Sequence, residues 1–503
     1  MEYPQAVVAI LMLCVCVLLG IPVWWNTTKV YRASLPHSQI EELSRADIQM
    51  SIKINVYSDT ESSAQVREHL EKTKLYQFKI QTITEKLEQS IDNNNSLGLL
   101  CSKLDFNLSN QLIINLLLLK DWTEESLYQC DPTDLTYIIT SKSNDFTKLL
   151  SPLISSILPL NIREAKNTAS SNTMRNSLPL SSSYNIVFTL AIAEPNNASP
   201  KWDIENSIKQ QLDPLLEKQL SFLGPFHVSS QVLYYTDIGI EPRKFAEGNQ
   251  TYHFFSKSKI PLIINPLESR LNTYTSIESG LNFIIYMPPV KHTPLYFKTK
   301  KTSTKLSTSF HSPRWGGIQV YNTPIDKTDS VGYISTAKFM ETFVMQFQLL
   351  NGLDANANAK LFPKNEKSLL TKGMQTRVMI SRVFENLKTS ISTLSSLSKL
   401  LDNIANIVIR DDIKDLIDVS VMNIELTIEH LNNGDLVSAV IASKIAFSNS
   451  EKAFFDQSLL TLLYFPDDQK YAIYVPLFLP ISLPIILSFF GAVKFFRKKD
   501  KVE

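Results

Sequence analysis

The sequence predicts a layered α/β lumenal domain, a sheet with helices, followed by a C-terminal helical section and flanked by two transmembrane helices. Three observations carry this prediction. Each end holds a long uncharged apolar stretch, the middle alternates apolar strands with helices in β-α-β order, and no proline occurs between Pro363 and Pro466. The expected divisions are a cytosolic start (1–5), a first span (6–25) and a lumenal region (26–470). Within that region, 47–362 is α/β and 364–465 is helical. A second span (471–493) and a basic cytosolic tail (494–503) complete the chain.

The stretch from Ala6 to Trp25 holds no charge, and at ~1.5 Å per residue it matches a ~30 Å hydrocarbon core. A cleaved signal peptide competes with an anchor here. Against cleavage, Glu2 is the only charge ahead of it, and Pro22, Trp24 and Trp25 stand where small residues are needed. As an anchor, it places Trp24, Trp25 and Tyr31 at headgroup depth. Tyr471 to Val493 is likewise uncharged, and Lys494, Arg497, Lys498, Lys499 and Lys501 follow it. The positive-inside rule puts that tail in the cytosol and the middle in the lumen, although Lys29 and Arg32 beside the first span argue the other way. Lys499 and Lys501 also match a dilysine retrieval pattern of endoplasmic reticulum membrane proteins, or are an ordinary basic flank. Pro476, Pro480 and Pro484 recur every four residues and mark one face of the second span for packing against protein.

Compartment signals agree with this topology. Asn26, Asn94, Asn107, Asn197 and Asn249 each open an Asn-x-Ser/Thr triplet and are glycosylation candidates. Cys14 and Cys16 lie in the first span, which leaves Cys101 and Cys130 as lumenal thiols able to form one disulfide.

The first lumenal part offers a strand, "MSIKINVYS", and then one helix through "SAQVREHLEKTKLYQFKIQTITEKLEQSI" that stops at "DNNNS". After a polar loop over 163–183 come the strand "YNIVFTLAIAEP", the helix "WDIENSIKQQLDPLLEKQLSFL" and the strand "VSSQVLYYT". "GLNFIIYMPP" and "GGIQVYN" add two more strands. In the proline-free section Leu387, Ile391, Leu394 and Leu401 mark one buried helix face. Asn432, Asn433 and Gly434 end a later helix, and Asp435 caps the next. This section is not a repeat array.

Common chemical signatures are missing. The 13 glycines form no nucleophile elbow, phosphate loop or dinucleotide fingerprint, and none of the 7 histidines is spaced for zinc. A net charge of +1 gives no nucleic-acid surface. No cofactor, metal or catalytic residue is expected. The stretch "FHSPRWGGIQVYN" collects His311, Ser312 and Arg314 beside Gly316 and Gly317. With no base, nucleophile and orienting group to assemble, it reads as a turn into a strand, with Arg314 and Trp315 as candidate partner contacts. Glu268 and Arg270 read as an ion pair or cap. Asp467, Asp468 and Lys470 read as a solvated collar above the second span.

The stretches "IPVWWNTTKVYRASLPHSQI", "INPLESRL", "FHSPRWGGIQVYN", "NIANIVIRDDI" and "SEKAFFDQSLLTLLYFPDDQKYAIYVPLFLP" occur in order between the ends. In these the chain resembles the PIG-S family, whose members are subunits of the GPI transamidase. The likeness covers the membrane ends and roughly 184–484, while 47–183 aligns with nothing. It implies a noncatalytic scaffold or recognition subunit in the endoplasmic reticulum membrane, within a complex that cleaves a C-terminal signal and attaches a GPI anchor. It also implies partners, PIG-K with the caspase-like cysteine chemistry, PIG-T, PIG-U and GPAA, together with membrane lipid and a possible contact to the GPI lipid or the precursor protein. The alternative function class is a free-standing lumenal membrane-bound hydrolase with scattered residues.

Overall fold

The computed structural model describes residues 31–71, 76–83, 111–120, 125–131, 133–142, 145–159, 178–196, 200–236, 238–247, 250–271, 279–298, 306–322, 333–353, 370–403, 408–462, 468–499 and parts of 7–22. The chain forms two compact units. One comprises Met1–Ala46, Lys388–Ile424 and Ile445–Glu503, the other Asp47–Leu387 and Glu425–Lys444.

After helix α1 (His37–Arg45), the larger unit opens with β1 (Met50–Tyr57), α2 (Thr60–Glu71), β2 (Tyr76–Ile83), β3 (Ile113–Leu119), β4 (Ser126–Gln129), β5 (Thr136–Thr140) and α3 (Thr147–Ile157). The sheet order is β2-β1-β3-β5-β4, parallel except for β4. β5 is buried along its whole length and β3 at all but its first residue, as a parallel sheet covered on both faces requires. β2 corrects the expected single helix. "YQFKIQTI" alternates, with Gln77, Lys79 and Gln81 exposed and the residues between them at least half-buried, so period two prevails over helix propensity.

The second sheet follows with β6 (Tyr184–Ile192), β7 (Lys201–Trp202), α4 (Ile204–Ser207), β8 (Phe226–Tyr234), β9 (Arg243–Glu247), β10 (Gln250–Ser256), α5 (Ile260–Glu268), β11 (Ser279–Met287), β12 (Leu295–Lys298), β13 (Leu306–Ser307), β14 (Ser309–Ser312), β15 (Gly316–Val320), β16 (Tyr333–Ile334) and α6 (Thr336–Leu350). α4 continues as π-helix over Ile208–Leu212 and Pro214–Gln219. The strands stand in order β14-β15-β11-β6-β8, again parallel except for β14. Numbered by appearance within each sheet, both orders read 2-1-3-5-4 with the fourth strand antiparallel. The unit is therefore a topological duplication. One face of the second sheet packs Phe188 and Phe283 under Phe343 and Phe347 of α6, and the other packs Ile284 and Ile318 under Ile263 and Leu267 of α5. β13-β12-β10-β9 form a small additional sheet, and β7 pairs with β16.

The helical section comprises α7 (Lys372–Asn403), α8 (Asp411–Asn433), α9 (Leu436–Phe454), α10 (Gln457–Leu462) and α11 (Asp468–Lys499). Leu387, Leu394 and Leu401 are buried as expected, while Ile391 is half-buried. Gly434 ends α8 at φ 76°, and Asp435 accepts from the Ser438 N–H at 3.1 Å to start α9. α11 contains Pro476, Pro480 and Pro484. Among the described residues no helix is long and apolar enough to cross a membrane. Most of the first expected span and many side chains of the second lie outside the described residues, so the two transmembrane helices remain expectations.

Candidate functional site

Open parallel sheets bind ligands beyond the carboxyl ends of their strands, where the strand order reverses. In both repeats that point lies between the first and third strands, and in both the protein's own groups bridge it. In the first, Asp59 follows β1 and Lys120 follows β3. Lys120 Nζ stands 2.6 Å from Asp59 and 3.4 Å from Glu61. Burial alone would raise the Asp59 carboxyl, but the hydrogen bond from Lys120 leads the opposing effects and holds it below its usual range. The same bond raises Lys120.

In the second repeat Glu194 follows β6, and its Oε2 accepts from the Val290 N–H, just after β11, at 3.3 Å. The Tyr235 hydroxyl donates to Asn196 Oδ1 at 3.1 Å, and Arg270 Nη1 donates to the Tyr235 carbonyl at 3.1 Å. Tyr235 holds φ 54°, a left-handed conformation that costs a non-glycine residue energy. Asn322, after β15, accepts from the Leu295 N–H at 2.8 Å and donates to its carbonyl at 3.1 Å. The loops after β6, β8, α5, β11 and β15 are thus tied by these bonds, with Tyr234, Tyr235 and Val290 exposed among them. The carboxylate and guanidinium reached here hold backbone groups, so the arrangement positions loops and presents aromatic surface. Among the described residues no group of three His, Cys, Asp or Glu gathers to hold a metal.

The stretch from Phe310 is a hairpin at the opposite edge of this sheet. β14 and β15 pair with Ser312 opposite Gly316, and the Trp315 N–H donates to the Ser312 carbonyl at 3.3 Å across a turn formed by Pro313 and Arg314. Arg314 takes φ 63°, the position a type II turn reserves for glycine. Trp315 corrects the expected contact pair, since it is 8% exposed and packs with Phe310 and Ile318 in the core. Its apolar ring is held inside as the strand begins, and of the pair Arg314 alone faces solvent. Gly316 has φ 131°, as a glycine-specific backbone requires, but Gly317 does not adopt a positive φ. Gly317 is needed for space, because a Cβ there would lie 1.9 Å from Gln346 Oε1 of α6. His311 is half-buried, and burial holds its imidazole below the usual range.

Other sequence candidates fall as follows. Arg270 bonds the Tyr235 carbonyl, and no Glu268–Arg270 ion pair occurs among the described residues. Cys130 is disulfide-bonded, while Cys101 lies outside the described residues. Asn26, Asn94, Asn107, Asn197 and Asn249 also lie outside them, as does Asp467, and nothing is described of the side chains of Asp468 and Lys470. Glu194, Asn196 and Tyr235 escaped sequence reasoning. Their only signal was a polar Glu-Pro-Asn turn after an apolar strand, and its significance comes from the topology.

Two distant stretches singled out in the sequence meet within the smaller unit. The Tyr31 hydroxyl donates to Asp411 at 2.8 Å, Arg32 Nη2 to the Leu401 carbonyl at 2.5 Å, and the Ala33 N–H to the Ile409 carbonyl at 3.0 Å. Those residues serve the fold.

Comparison with known proteins adds the following. The family profile described as phosphatidylinositol-glycan biosynthesis class S protein matches residues 11–499. The GPI-anchor transamidase component PIGS of Homo sapiens is 34% identical over 98% of this chain and 97% of its own length. The GPI transamidase component PIG-S homolog of Schizosaccharomyces pombe is 25% identical over 98% of this chain and 85% of its own. The GPI transamidase component GPI17 of Saccharomyces cerevisiae is 24% identical over 96% and 91%.

Proposed function

The chain belongs to the PIG-S family, and from that premise we propose that it is a noncatalytic subunit of a GPI transamidase, scaffolding the assembly in the endoplasmic reticulum membrane. The observation that carries this reading is the near end-to-end match to transamidase components in both mammals and yeasts. The bridged strand ends support a scaffold, because at the switch points where α/β sheets hold substrates the flanking loops are tied to each other by the chain's own Lys120 and Glu194 contacts. Bond cleavage and GPI transfer then belong to a partner, the caspase-like PIG-K, with PIG-T, PIG-U and GPAA as further partners.

In this reading 6–25 and 471–493 cross the membrane, both termini are cytosolic and the middle is lumenal. Exposed Val8, Leu11 and Leu18 near one end and Leu487 and Phe490 near the other support lipid surroundings for those helices. Cys130 pairs with Cys101, and the sequon asparagines are glycosylation sites.

The test expresses the full chain in cells lacking the native subunit. Stoichiometric recovery of the other components in mild detergent, with GPI attachment to a reporter restored, is expected. A chain that restores attachment without associating with them would overturn the reading. So would His311→Gln or Ser312→Ala, if either kept abundance and assembly but abolished attachment. Protease treatment of sealed microsomes checks topology, since digestion of the middle region would refute a lumenal domain.

A further inference from the structure

The two repeats share one strand order, but they differ in what they carry. In the first, the third strand reaches the fourth through residues 120–125. In the second, the same link is residues 288–308 and includes β12 and β13, while β9 and β10 precede the third strand. Among the described residues, the first layer of this order closes without a counterpart of the small sheet. Completing the fold does not explain what that sheet presents.

Its inner face is core, with Phe255, Leu295 and Phe297 buried. Strand alternation puts Phe245, Tyr252, Phe254, Tyr296 and Lys298 on the outer face. Tyr252 stands opposite Phe245, and Phe254 opposite both Arg243 and Tyr296. Ring centroids lie 5.3 Å apart for Phe245–Tyr252, 6.4 Å for Tyr252–Phe254 and 6.1 Å for Tyr252–Tyr296. Lys298 Nζ sits 5.7 Å from the centre of the Phe254 ring, and Arg243 is exposed. Phe245, on the edge strand β9, is 44% exposed.

We infer that this outer face is a docking surface for a different protein subunit of the transamidase, one that offers an apolar surface bordered by carboxylates. The inference rests on the subunit role proposed above. Phe, Tyr and Arg are the residue types enriched at protein interfaces. The register that puts Arg243 and Phe245 on this face also holds Glu247, so the two cations outnumber the carboxylate and set the sign of the partner, because a basic surface there would meet like charge. The rings are tilted by 42°, 49° and 83° to one another. That is a corrugated ridge suited to interleaving side chains, and it lacks the flat stacking platform a saccharide uses.

The experiment uses the full chain in cells lacking the native subunit, with Phe245 replaced by the photo-crosslinking residue p-benzoylphenylalanine. A crosslink to another transamidase component is expected. The double variant Arg243→Glu/Lys298→Glu should lower recovery of that component about tenfold at unchanged abundance and unchanged protease resistance. Lys244→Glu, exposed on the same strand but facing the other way, should leave recovery intact. A crosslink to a differently tagged second copy or to lipid, or no crosslink, would overturn the proposal, as would normal recovery of the double variant. If the unmodified chain itself fails to recover the other components, the subunit reading has failed instead.

Discussion

Alanine at Gly317 and alanine at Gly316 separate two physical reasons for a glycine. A Cβ on Gly317 would lie 1.9 Å from Oε1 and 2.4 Å from Cδ of Gln346. That side chain is 4% exposed, and its Nε2 donates to the Phe310 carbonyl at 3.1 Å. It can move aside only by giving up the bond. Overpacking costs about 1–3 kcal/mol, and losing that one hydrogen bond costs about 0.5–1.5 kcal/mol more. Gly317→Ala is therefore expected to destabilise by about 2–4 kcal/mol. Gln346→Ala clears the space, so the pair should cost less than the two single changes added together, by about 1–2 kcal/mol. Gly316 is different, because its added Cβ would lie 1.9 Å from the carbonyl oxygen of Asn282 and 2.8 Å from its nitrogen, at φ 131°. Those are backbone atoms of the paired strand β11, which no side-chain trimming can move. Gly316→Ala should cost more than about 4 kcal/mol, with no relief from Gln346→Ala. Denaturant-dependent pulse proteolysis of the full chain in detergent measures the unsubstituted protein and the five variants. Equal relief of both glycine variants by Gln346→Ala, or relief of neither, would refute the reasoning.

Arg314 occupies a left-handed position at φ 63°, so Arg314→Val should lower the unfolding free energy by about 1–2 kcal/mol while Arg314→Gly leaves it equal or higher. The same proteolysis assay checks this. Cys130→Ser removes a disulfide and should cost about 2–4 kcal/mol. Non-reducing mobility and thermal midpoint report it, and a midpoint insensitive to both the substitution and reductant would contradict it. For Asp435, burial raises the carboxyl, but hydrogen bonds from Ser438 outweigh that effect and the folded value lies below the usual range. A depressed carboxylate supplies stability above its unfolded pKa of about 4 and loses it as pH falls through the folded value. Asp435→Asn keeps a neutral acceptor for the cap, much as the protonated carboxyl does, so it should be less stable near pH 7 by the carboxylate's contribution, match the unsubstituted protein below the folded value, and show a shallower acid loss. Acid titration followed by circular dichroism measures that slope.

Local pattern alone determined much of this protein. The apolar runs of β1, β6, β8, β11 and β15 were legible, as were the long proline-free helices and the Gly434 and Asp435 junction. Each follows from side-chain periodicity or from a backbone conformation that few residues tolerate. The five stretches that mark the family were also readable as sequence, although what those residues do was not. Tyr31 and Asp411 are far apart in the chain, and only folding brings them to one hydrogen bond. Tertiary structure also decided β2, whose alternating residues became a strand once β1 offered a parallel edge. It decided the duplication, since strand order is a matter of long-range pairing that two dissimilar sequences can share. The candidate site was the least legible part. Glu194 and Asn196 look like ordinary turn residues until β6 and β11 are neighbours. Trp315 changed from a surface anchor to core because its side-chain direction depends on which strand β15 joins. Gly317 became a contact glycine because α6 lays Gln346 against it. Short-range sterics and periodicity are written in adjacent residues, whereas burial and close approach depend on neighbours that the chain meets only after it has folded.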